Sequence, residues 1–98
     1  MNWVVIYHQE VEEDLLSLGP AMARRIVKAI DAKLTQAPLD FGAALSGNLT
    51  GFRKLRVGDC RVVYRVYNNR VEVYVLAVGP RRDREIYRIA GTRREDHY

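Results

Sequence analysis

Hydrophobic residues recur with two different periods along the chain, and the change of period separates a helical first half from a strand-rich second half. Residues 3–7, Trp-Val-Val-Ile-Tyr, are β-branched or aromatic and predict a first strand. Apolar residues then recur every three or four positions over 11–18 and again over 22–34, which predicts two helices. Gly19-Pro20 ends the first helix and begins the second, so the two helices form a hairpin.

The second half predicts an antiparallel meander followed by a short helix. After an irregular loop over 39–50, three alternating segments over 52–57, 60–67 and 70–78 are separated by Gly58-Asp59 and Asn68-Asn69, which are polar pairs typical of tight hairpins. A last helix is expected to begin near Asp83 and to end at Gly91. Its inward positions are Ile86, Ile89 and Ala90. Residues 92–98 are expected to be a flexible tail.

These elements predict an α+β fold with the order β-α-α-β-β-β-α. We expect one domain over 1–98, built on a mostly antiparallel four-stranded sheet with the helical hairpin on one face. A chain of 98 residues with 48% hydrophobic content fits a single core.

Composition excludes several classes of protein. The chain contains no apolar run near the length of a membrane span, and its start lacks the pattern of a signal peptide, so we expect a cytoplasmic protein without membrane contact. Cys60 is the single cysteine, which excludes an internal disulfide. With only His8 and His97 to accompany it, we expect neither a metal site nor a cofactor.

Positive charge is concentrated in the second half. Residues 1–50 contain four Lys or Arg and six Asp or Glu, whereas residues 51–98 contain twelve and six, and eleven of the twelve are Arg. The planar guanidinium suits phosphate, so this asymmetry indicates a polyanion or an acidic protein partner. A basic surface that only keeps the protein soluble is an equally good interpretation of charge alone.

A two-residue turn at Gly58-Asp59 fixes which side chains share a face of the sheet. It pairs Arg56 with Arg61 and Lys54 with Val63. One face then carries Lys54, Arg56, Arg61 and Arg65, and the other is the predicted core face, made by Leu55, Val57, Cys60, Val62, Tyr64 and Val66. A turn at Asn68-Asn69 sets Arg65 opposite Glu72 as a structural pair. Directly opposed arginines weaken a sheet by a few tenths to about 1 kcal/mol, which favours an anionic ligand such as phosphate. The alternative is that both side chains extend into water.

The segment after the last strand adds candidates for the same site. Arg81 stands at the exit of that strand, next to the cationic face. Tyr87 lies off the apolar stripe of the last helix and is flanked by Arg84 and Arg88. An aromatic ring in cationic surroundings suits stacking on a base, although a half-packed Tyr at a helix edge is also common.

Two stretches of the second half form specific motifs, Leu-Arg-Val-Gly-Asp-x-Arg-Val-Val-Tyr at 55–64 and Val-Gly-x-Arg-x-x-x-x-x-Tyr at 78–87. Together they resemble the RelE/ParE toxin superfamily, whose fold is of the microbial ribonuclease type. The resemblance implies the toxin of a type II toxin–antitoxin system, a metal-independent endoribonuclease that cuts messenger RNA on the ribosome. It also implies a heteromeric complex with a RelB-like antitoxin, an acidic or amphipathic segment of which wraps the hairpin and the sheet.

The same resemblance implies the roles of individual residues. Lys54 would be the general base, Arg61 would stabilise the charge on phosphorus, Arg81 would stand near the leaving oxygen, and Tyr87 would position the substrate or share in proton transfer. The remaining candidates are phosphate ligands. They are Arg53, Arg56, Arg84 and Arg88.

One departure from the family pattern keeps other functions open. RelE-type toxins resembling this chain carry a second basic residue two positions before Lys54, where this sequence has Phe52, with Arg53 beside it. A bulge could bring Arg53 into that role. A ParE-like inhibitor of DNA gyrase and a non-catalytic RNA- or protein-binding relative remain the alternatives.

Overall fold

The computed structural model describes residues 2–94, which form a five-stranded sheet with helices on both faces. The strands are β1 Val4–Tyr7, β2 Ala43–Ala44, β3 Arg53–Val57, β4 Cys60–Tyr67 and β5 Glu72–Pro80. The helices are α1 Val11–Leu18, α2 Pro20–Ala29 and α3 Glu85–Arg93. A π-helical turn, Ile30–Leu34, extends α2, and no helix within 2–94 combines the length and hydrophobicity needed to cross a bilayer.

The predicted α+β class is confirmed, but the strand count was wrong. The strand order is β1-β5-β4-β3-β2, in which β1 runs parallel to β5 and the other neighbours are antiparallel. The fifth strand is β2, two alanines that pair with Lys54 and Arg53. Two exposed alanines carry no alternating pattern and no β-branched residue, so the sequence does not signal this strand.

The first hairpin has the predicted register, and the second does not. Arg56 pairs with Arg61 and Lys54 pairs with Val63, as the Gly58-Asp59 turn requires. The second turn is longer than Asn68-Asn69, because a 3-10 turn over Asn68–Arg70 is followed by Val71 in the left-handed region. Tyr67 therefore lies opposite Glu72, and Arg65 lies opposite Tyr74 instead of Glu72.

A β-bulge in β5 changes the register again along the same hairpin. Val63 pairs with Ala77 whereas Tyr64 pairs with Val75, so Leu76 is the extra residue. Beyond the bulge, Arg61 faces Gly79. Because Gly79 has no side chain, α3 can pack closely against β5; a Cβ at this position would be 3.3 Å from Ile86 Cδ1.

Each face of the sheet has its own core. The α1–α2 hairpin covers one cluster, made by Val11, Ile26, Ile30, Leu34, Leu55, Val57, Cys60, Val62, Tyr64, Val73, Val75 and Val78. The predicted core residues on β3 and β4 belong to this cluster. The second cluster packs under α3 and the 3-10 turn Gly47–Leu49, and consists of Leu49, Phe52, Val63, Tyr74, Leu76, Ala77, Ile86 and Ala90. On the face of the sheet that carries α3, the helix and the 3-10 turn cover one part, and the part formed by β3 and β4 remains cationic.

The last helix extends past the predicted end at Gly91. Gly91 is buried inside α3, and Thr92 and Arg93, assigned to the flexible tail, are helical. Arg93 Nη1 donates to Asp14 Oδ2 on α1 at 2.7 Å and to the carbonyl oxygen of Leu76 at 3.2 Å. This buried contact stabilises the last turn of α3. The helix therefore continues past Gly91, although glycine is a residue at which helices often end. The remainder of the predicted tail, 95–98 with His97, lies outside the described residues.

Candidate functional site

A cationic hollow lies along the outer edge of β3, and we call it the β3 hollow. It measures about 400 Å³. Its described lining residues are Lys33, Phe41, Gly42, Ala43, Lys54, Leu55, Arg56 and Arg61. Four of these eight are Lys or Arg and none is acidic. Three of the four cations are residues that sequence reasoning selected, and the matching register of β3 and β4 brings them together.

Arg61 is held firmly at this hollow. It is 9% exposed, and its Nη1 donates to the carbonyl oxygens of Gly58 at 3.2 Å and Cys60 at 2.8 Å. These bonds occupy one terminal nitrogen of a guanidinium that has five N–H donors in all. Gly58 has φ 58°, a conformation that side chains disfavour, so the tight turn and the position of the guanidinium depend on the same residue. Arg61 is thus a preorganised cation opposite the exposed Arg56.

Helix α3 brings Tyr87 to the same face. Lys54 Nζ lies 5.9 Å from the centre of the Tyr87 ring, and the Arg84 guanidinium carbon lies 5.7 Å from it. Arg84 precedes the helix with φ 60°, an unusual left-handed conformation for a residue with a side chain. Tyr87 is half-buried beside the second core cluster. The structure therefore joins Lys54, Tyr87 and Arg84 in one group.

Arg81 lies next to this group, in a hollow of its own. Its backbone N–H donates to the carbonyl oxygen of Asp59 at 3.0 Å, at the end where β5 leaves the sheet. Its exposed side chain lines a hollow of about 410 Å³ with Asp59, Pro80 and Arg82. Because Pro80 pairs with Cys60 and Gly79 pairs with Arg61, this second hollow adjoins the Arg61 end of the cationic face.

Arg88 and Arg53 have structural partners. Arg88 Nη2 donates to Glu85 Oε1 at 2.8 Å on the exposed side of α3, where such a pair contributes little stability. Arg53 does not share the cationic face, because alternation along β3 directs it to the side opposite Lys54. Its Nη2 donates to three loop carbonyl oxygens, those of Leu39, Phe41 and Gly42, at 3.2–3.4 Å. The assignment of Arg53 as a phosphate ligand is therefore withdrawn.

The structure explains how the face accommodates Phe52. Phe52 is buried in the second cluster, and the Arg65 guanidinium carbon lies 5.6 Å from its ring centre and 5.2 Å from that of Tyr67. Arg65 thus supplies an exposed cation beside the position where Phe52 interrupts the basic pattern. The sequence placed Arg65 on this face, but the assumed two-residue second turn paired it with Glu72, so it was not chosen as a phosphate ligand.

Burial raises the pKa of two groups near the site, Tyr64 and Cys60. Desolvation raises the pKa of the Tyr64 phenol, an effect that the nearby Arg53 guanidinium reduces. Desolvation also raises the pKa of the Cys60 thiol, and Asp59 adds to the effect. Both groups are consequently neutral near pH 7, and Cys60 is a buried, weakly nucleophilic thiol.

The fold is that of the RelE/ParE class of small toxins. A family model for the ParE toxin of type II toxin–antitoxin systems matches residues 5–85. The chain therefore belongs to the ParE toxin family, within the RelE/ParE superfamily, and is the toxin of a type II toxin–antitoxin system.

Individual relatives agree with that assignment. Toxin RelG of Mycobacterium tuberculosis is 31% identical over 88 residues, which cover 90% of this chain and 99% of that protein. The RelBE2 toxin–antitoxin complex from the same organism contains a chain of similar structure, with a TM-score of 0.78 and 28% identity over 85% of this chain and 95% of that one. A free E. coli RelE mutant shares the fold, with a TM-score of 0.75 and 24% identity over 95% and 98% of the two chains.

Proposed function

We propose that this toxin is a ribosome-dependent, metal-independent endoribonuclease that cuts messenger RNA in the cytoplasm and so inhibits translation. The observation that carries the proposal is the convergence of Lys54, Arg56 and Arg61 at the β3 hollow, with the Tyr87 ring beside Lys54. Opposed arginines on one face of a sheet are unfavourable without an anion between them. A scissile phosphodiester supplies that anion.

The proposed reaction is an internal transfer at phosphorus. The 2′-oxygen attacks the adjacent phosphorus, and its proton passes to Lys54, which acts as general base in its neutral amine form. Arg61 and Arg56 stabilise the negative charge on the non-bridging oxygens of the phosphorane. The bond from phosphorus to the 5′-oxygen then breaks, and that oxygen receives, through the Tyr87 hydroxyl, the proton that Lys54 accepted, while Arg81 stabilises its charge. The products are a 2′,3′-cyclic phosphate and a 5′-hydroxyl.

The remaining cations bind neighbouring phosphates in this proposal. Arg84 and Tyr87 act together at the start of α3, since the guanidinium lies over the ring. Arg65 contributes positive charge at the Phe52 position. Arg88 contributes least, because Glu85 already neutralises it. The cationic side chains together provide the charge stabilisation that a metal ion provides in other nucleases.

A RelB-like antitoxin is the proposed protein partner. Chains similar to this one occur in the RelBE2 complex of M. tuberculosis and in an archaeal RelE–RelB complex from Pyrococcus horikoshii. The hairpin offers an apolar depression lined by Leu15, Leu16, Pro20 and Ala23, and Leu16 is largely exposed. An amphipathic segment that covers this depression and places acidic residues on the cationic face would block the site.

The direct test is cleavage of message on programmed ribosomes, mapped by primer extension. Wild-type toxin should give defined cuts in the decoding site. Lys54→Ala and Arg81→Ala should each lower the cleavage rate by about a hundredfold or more, and Tyr87→Ala by a similar factor. Arg24→Ala, which removes an exposed arginine of α2 away from the site, should leave the rate unchanged.

A ParE-like inhibitor of DNA gyrase is the second candidate. One finding favours it, namely that the matching family model is that of the ParE toxin. The two candidates separate when a gyrase supercoiling assay is run beside the cleavage assay. Intact message together with blocked supercoiling would replace the nuclease proposal by gyrase inhibition, whereas inactivity in both assays would favour a non-catalytic binding relative.

A further inference from the structure

A rigid loop presents an exposed phenylalanine at the mouth of the β3 hollow. Phe41 is 39% exposed and lines the hollow together with Lys33, whose Nζ lies 5.5 Å from the centre of the Phe41 ring. Neither residue belongs to the proposed catalytic group. A large apolar ring beside four cations is an unusual composition for a surface that serves solubility alone.

Hydrogen bonds from Tyr64 and Arg53 fix the backbone around Phe41. The Tyr64 hydroxyl is buried and lies 2.8 Å from the carbonyl oxygens of Pro38 and Phe41, which share its single proton. Arg53 Nη2 donates to the same Phe41 oxygen at 3.2 Å. The phenol and the guanidinium therefore hold the loop from the opposite face of β3. Two polar groups anchoring one carbonyl oxygen indicate that the position of Phe41 is strongly specified.

Gly42 adds a further constraint on the loop. It has φ 76°, and a Cβ at this position would lie 2.5 Å from the Lys54 carbonyl oxygen and 2.6 Å from the Tyr64 hydroxyl oxygen. The loop thus passes against β3 as closely as backbone can. Phe41 is held next to the strand that carries Lys54, with its ring left outside the core.

We propose that Phe41 and Lys33 form a nucleotide subsite beside the scissile phosphate, in which the Phe41 ring stacks on a base of single-stranded RNA and Lys33 contacts a phosphate. This inference rests on the proposed nuclease function and extends it to a residue pair outside the reacting group. Charge complementarity identifies the occupant, because the described lining residues are cationic or apolar. Stacking of bases on aromatic rings, combined with basic grooves, is the general way in which proteins hold single strands.

The hollow is also large enough for this role. Its volume of about 400 Å³ falls in the range of ligand clefts, roughly 300 to 1,000 Å³. A strand that places its scissile phosphate between Arg56 and Arg61 would continue along the β3 edge toward the loop, since all of these residues line the same hollow. Phe41 would therefore act as a positioning residue, and its removal should affect substrate binding more than the chemical step.

The first test separates binding from chemistry in single-turnover cleavage on programmed ribosomes. Phe41→Ala should raise the half-saturating toxin concentration roughly fivefold to a hundredfold, the effect of one lost stack, while the maximal rate stays within about twofold of wild type. Phe41→Trp should restore wild-type binding. Leu39→Ala is the matched control, because Leu39 is an equally exposed apolar residue of the same loop and does not line the hollow.

A second experiment removes the base of the message instead of the Phe41 ring. The messages carry single abasic nucleotides in and beside the decoded codon. At one position, the missing base should weaken binding of the wild-type toxin relative to the intact message, whereas Phe41→Ala should bind the abasic and the intact message equally. Equal loss in both proteins at every position, or wild-type behaviour of Phe41→Ala, would overturn the subsite. Unchanged cleavage combined with weaker neutralisation by antitoxin would assign Phe41 to the protein partner and would overturn it as well.

A binding measurement keeps the subsite testable independently of cleavage. A hexanucleotide of alternating A and U with 2′-O-methyl groups cannot undergo the reaction, and its titration is followed by NMR at the Phe41 ring. We expect upfield ring-current shifts of the Phe41 ring and of the base protons, with the base-proton shift lost in Phe41→Ala, and a slope of log K against log salt that falls by about 0.7 in Lys33→Ala. These shifts without any cleavage would reject the nuclease proposal and retain the subsite, whereas cleavage without shifts would reject the subsite alone.

Discussion

At the scale of single residues, Tyr64 shows how a core side chain supports the functional face. Its ring is fully buried under the α1–α2 hairpin, and its hydroxyl anchors the loop that carries Phe41. The pattern of alternation identifies Tyr64 as a core residue, and this is confirmed. The polar role of its hydroxyl depends on carbonyl groups that lie 23 and 26 residues away in sequence.

Replacement of Tyr64 by Phe should lower the free energy of unfolding by about 1–3 kcal/mol, because the Pro38 carbonyl loses its buried hydrogen-bond donor. The effect should depend on pH. Burial raises the pKa of Tyr64 above its ordinary value of 10.0. The unfolded state therefore loses its proton first, and wild-type stability declines as pH rises above about 10. Urea denaturation between pH 8 and pH 11 should show a shallower decline in the variant, and parallel curves would contradict this expectation.

The buried thiol gives a second prediction at this scale. Because burial raises the pKa of Cys60, the thiol should react with a water-soluble thiol reagent at pH 7 at least a hundredfold more slowly than in protein unfolded in urea. Reaction kinetics in native buffer and in 8 M urea, about the strength needed to unfold small domains, provide the measurement. Equal rates in both conditions would show that the core cluster around Cys60 opens readily.

At the scale of elements, the contact between Asp14 and Arg93 joins helices from both sides of the sheet. β1 ends at Tyr7, so β5 beyond Val75 lacks a strand neighbour on that side. Asp14 Oδ2 accepts the Val78 N–H at 3.1 Å, and Arg93 donates to the Leu76 carbonyl oxygen. The ion pair thus supplies hydrogen-bond partners for backbone groups on the open edge of β5, next to the bulge, where a strand could not pair regularly.

Breaking this pair should be costly. Both side chains are largely buried, at 10% and 12% exposed, so Asp14→Ala or Arg93→Ala breaks a buried, doubly hydrogen-bonded ion pair and should lower the free energy of unfolding by about 3–5 kcal/mol. The double variant should lose much less than the sum of the two losses. Glu10→Ala is the control, since Glu10 is exposed and lies 3.7 Å from Arg93, and it should cost less than about 1 kcal/mol. Additive losses in the double variant would contradict direct coupling.

At the scale of the whole molecule, the charge asymmetry of the sequence becomes one cationic region. Most arginines of the second half lie on β3, on β4 or around the start of α3, while the acidic residues of α1 lie on the hairpin across the sheet. Such a field accelerates encounter with a negatively charged partner and is screened by salt.

Binding of the antitoxin should therefore depend on ionic strength mainly through the association rate. Raising salt from about 50 to 300 mM should lower the association rate by roughly tenfold or more, with a smaller change in dissociation. Arg56→Gln, at an exposed position of the face, should weaken this dependence, and Arg24→Gln on α2 should not. Stopped-flow measurements give both rates. A salt-independent association rate would indicate that apolar contacts at the hairpin determine the encounter.

The β3–β4 hairpin shows how far local signals reach. A two-residue turn and an alternating pattern are both written in adjacent residues, and they were sufficient to predict the pairing of Arg56 with Arg61. The predicted register of the β4–β5 hairpin was wrong because Val71 adopts a left-handed conformation and Leu76 forms a bulge. Both irregularities depend on packing, and neither residue type signals them. The wrong register paired Arg65 with Glu72, whereas Arg65 lies opposite Tyr74 and Glu72 lies opposite Tyr67.

By itself, the sequence determined the class of fold, the helical hairpin, the apolar face of the meander and the candidates Lys54, Arg56 and Arg61, because each follows from periodicity and turn chemistry over a few residues. Only the tertiary structure decided that Arg53 holds a loop, that Phe41 stands exposed beside Lys33, and that Arg93 closes the edge of β5 through Asp14. The physical reason is distance along the chain. A side chain whose partner is far away in sequence is assigned its role by packing, and no local pattern encodes that partner.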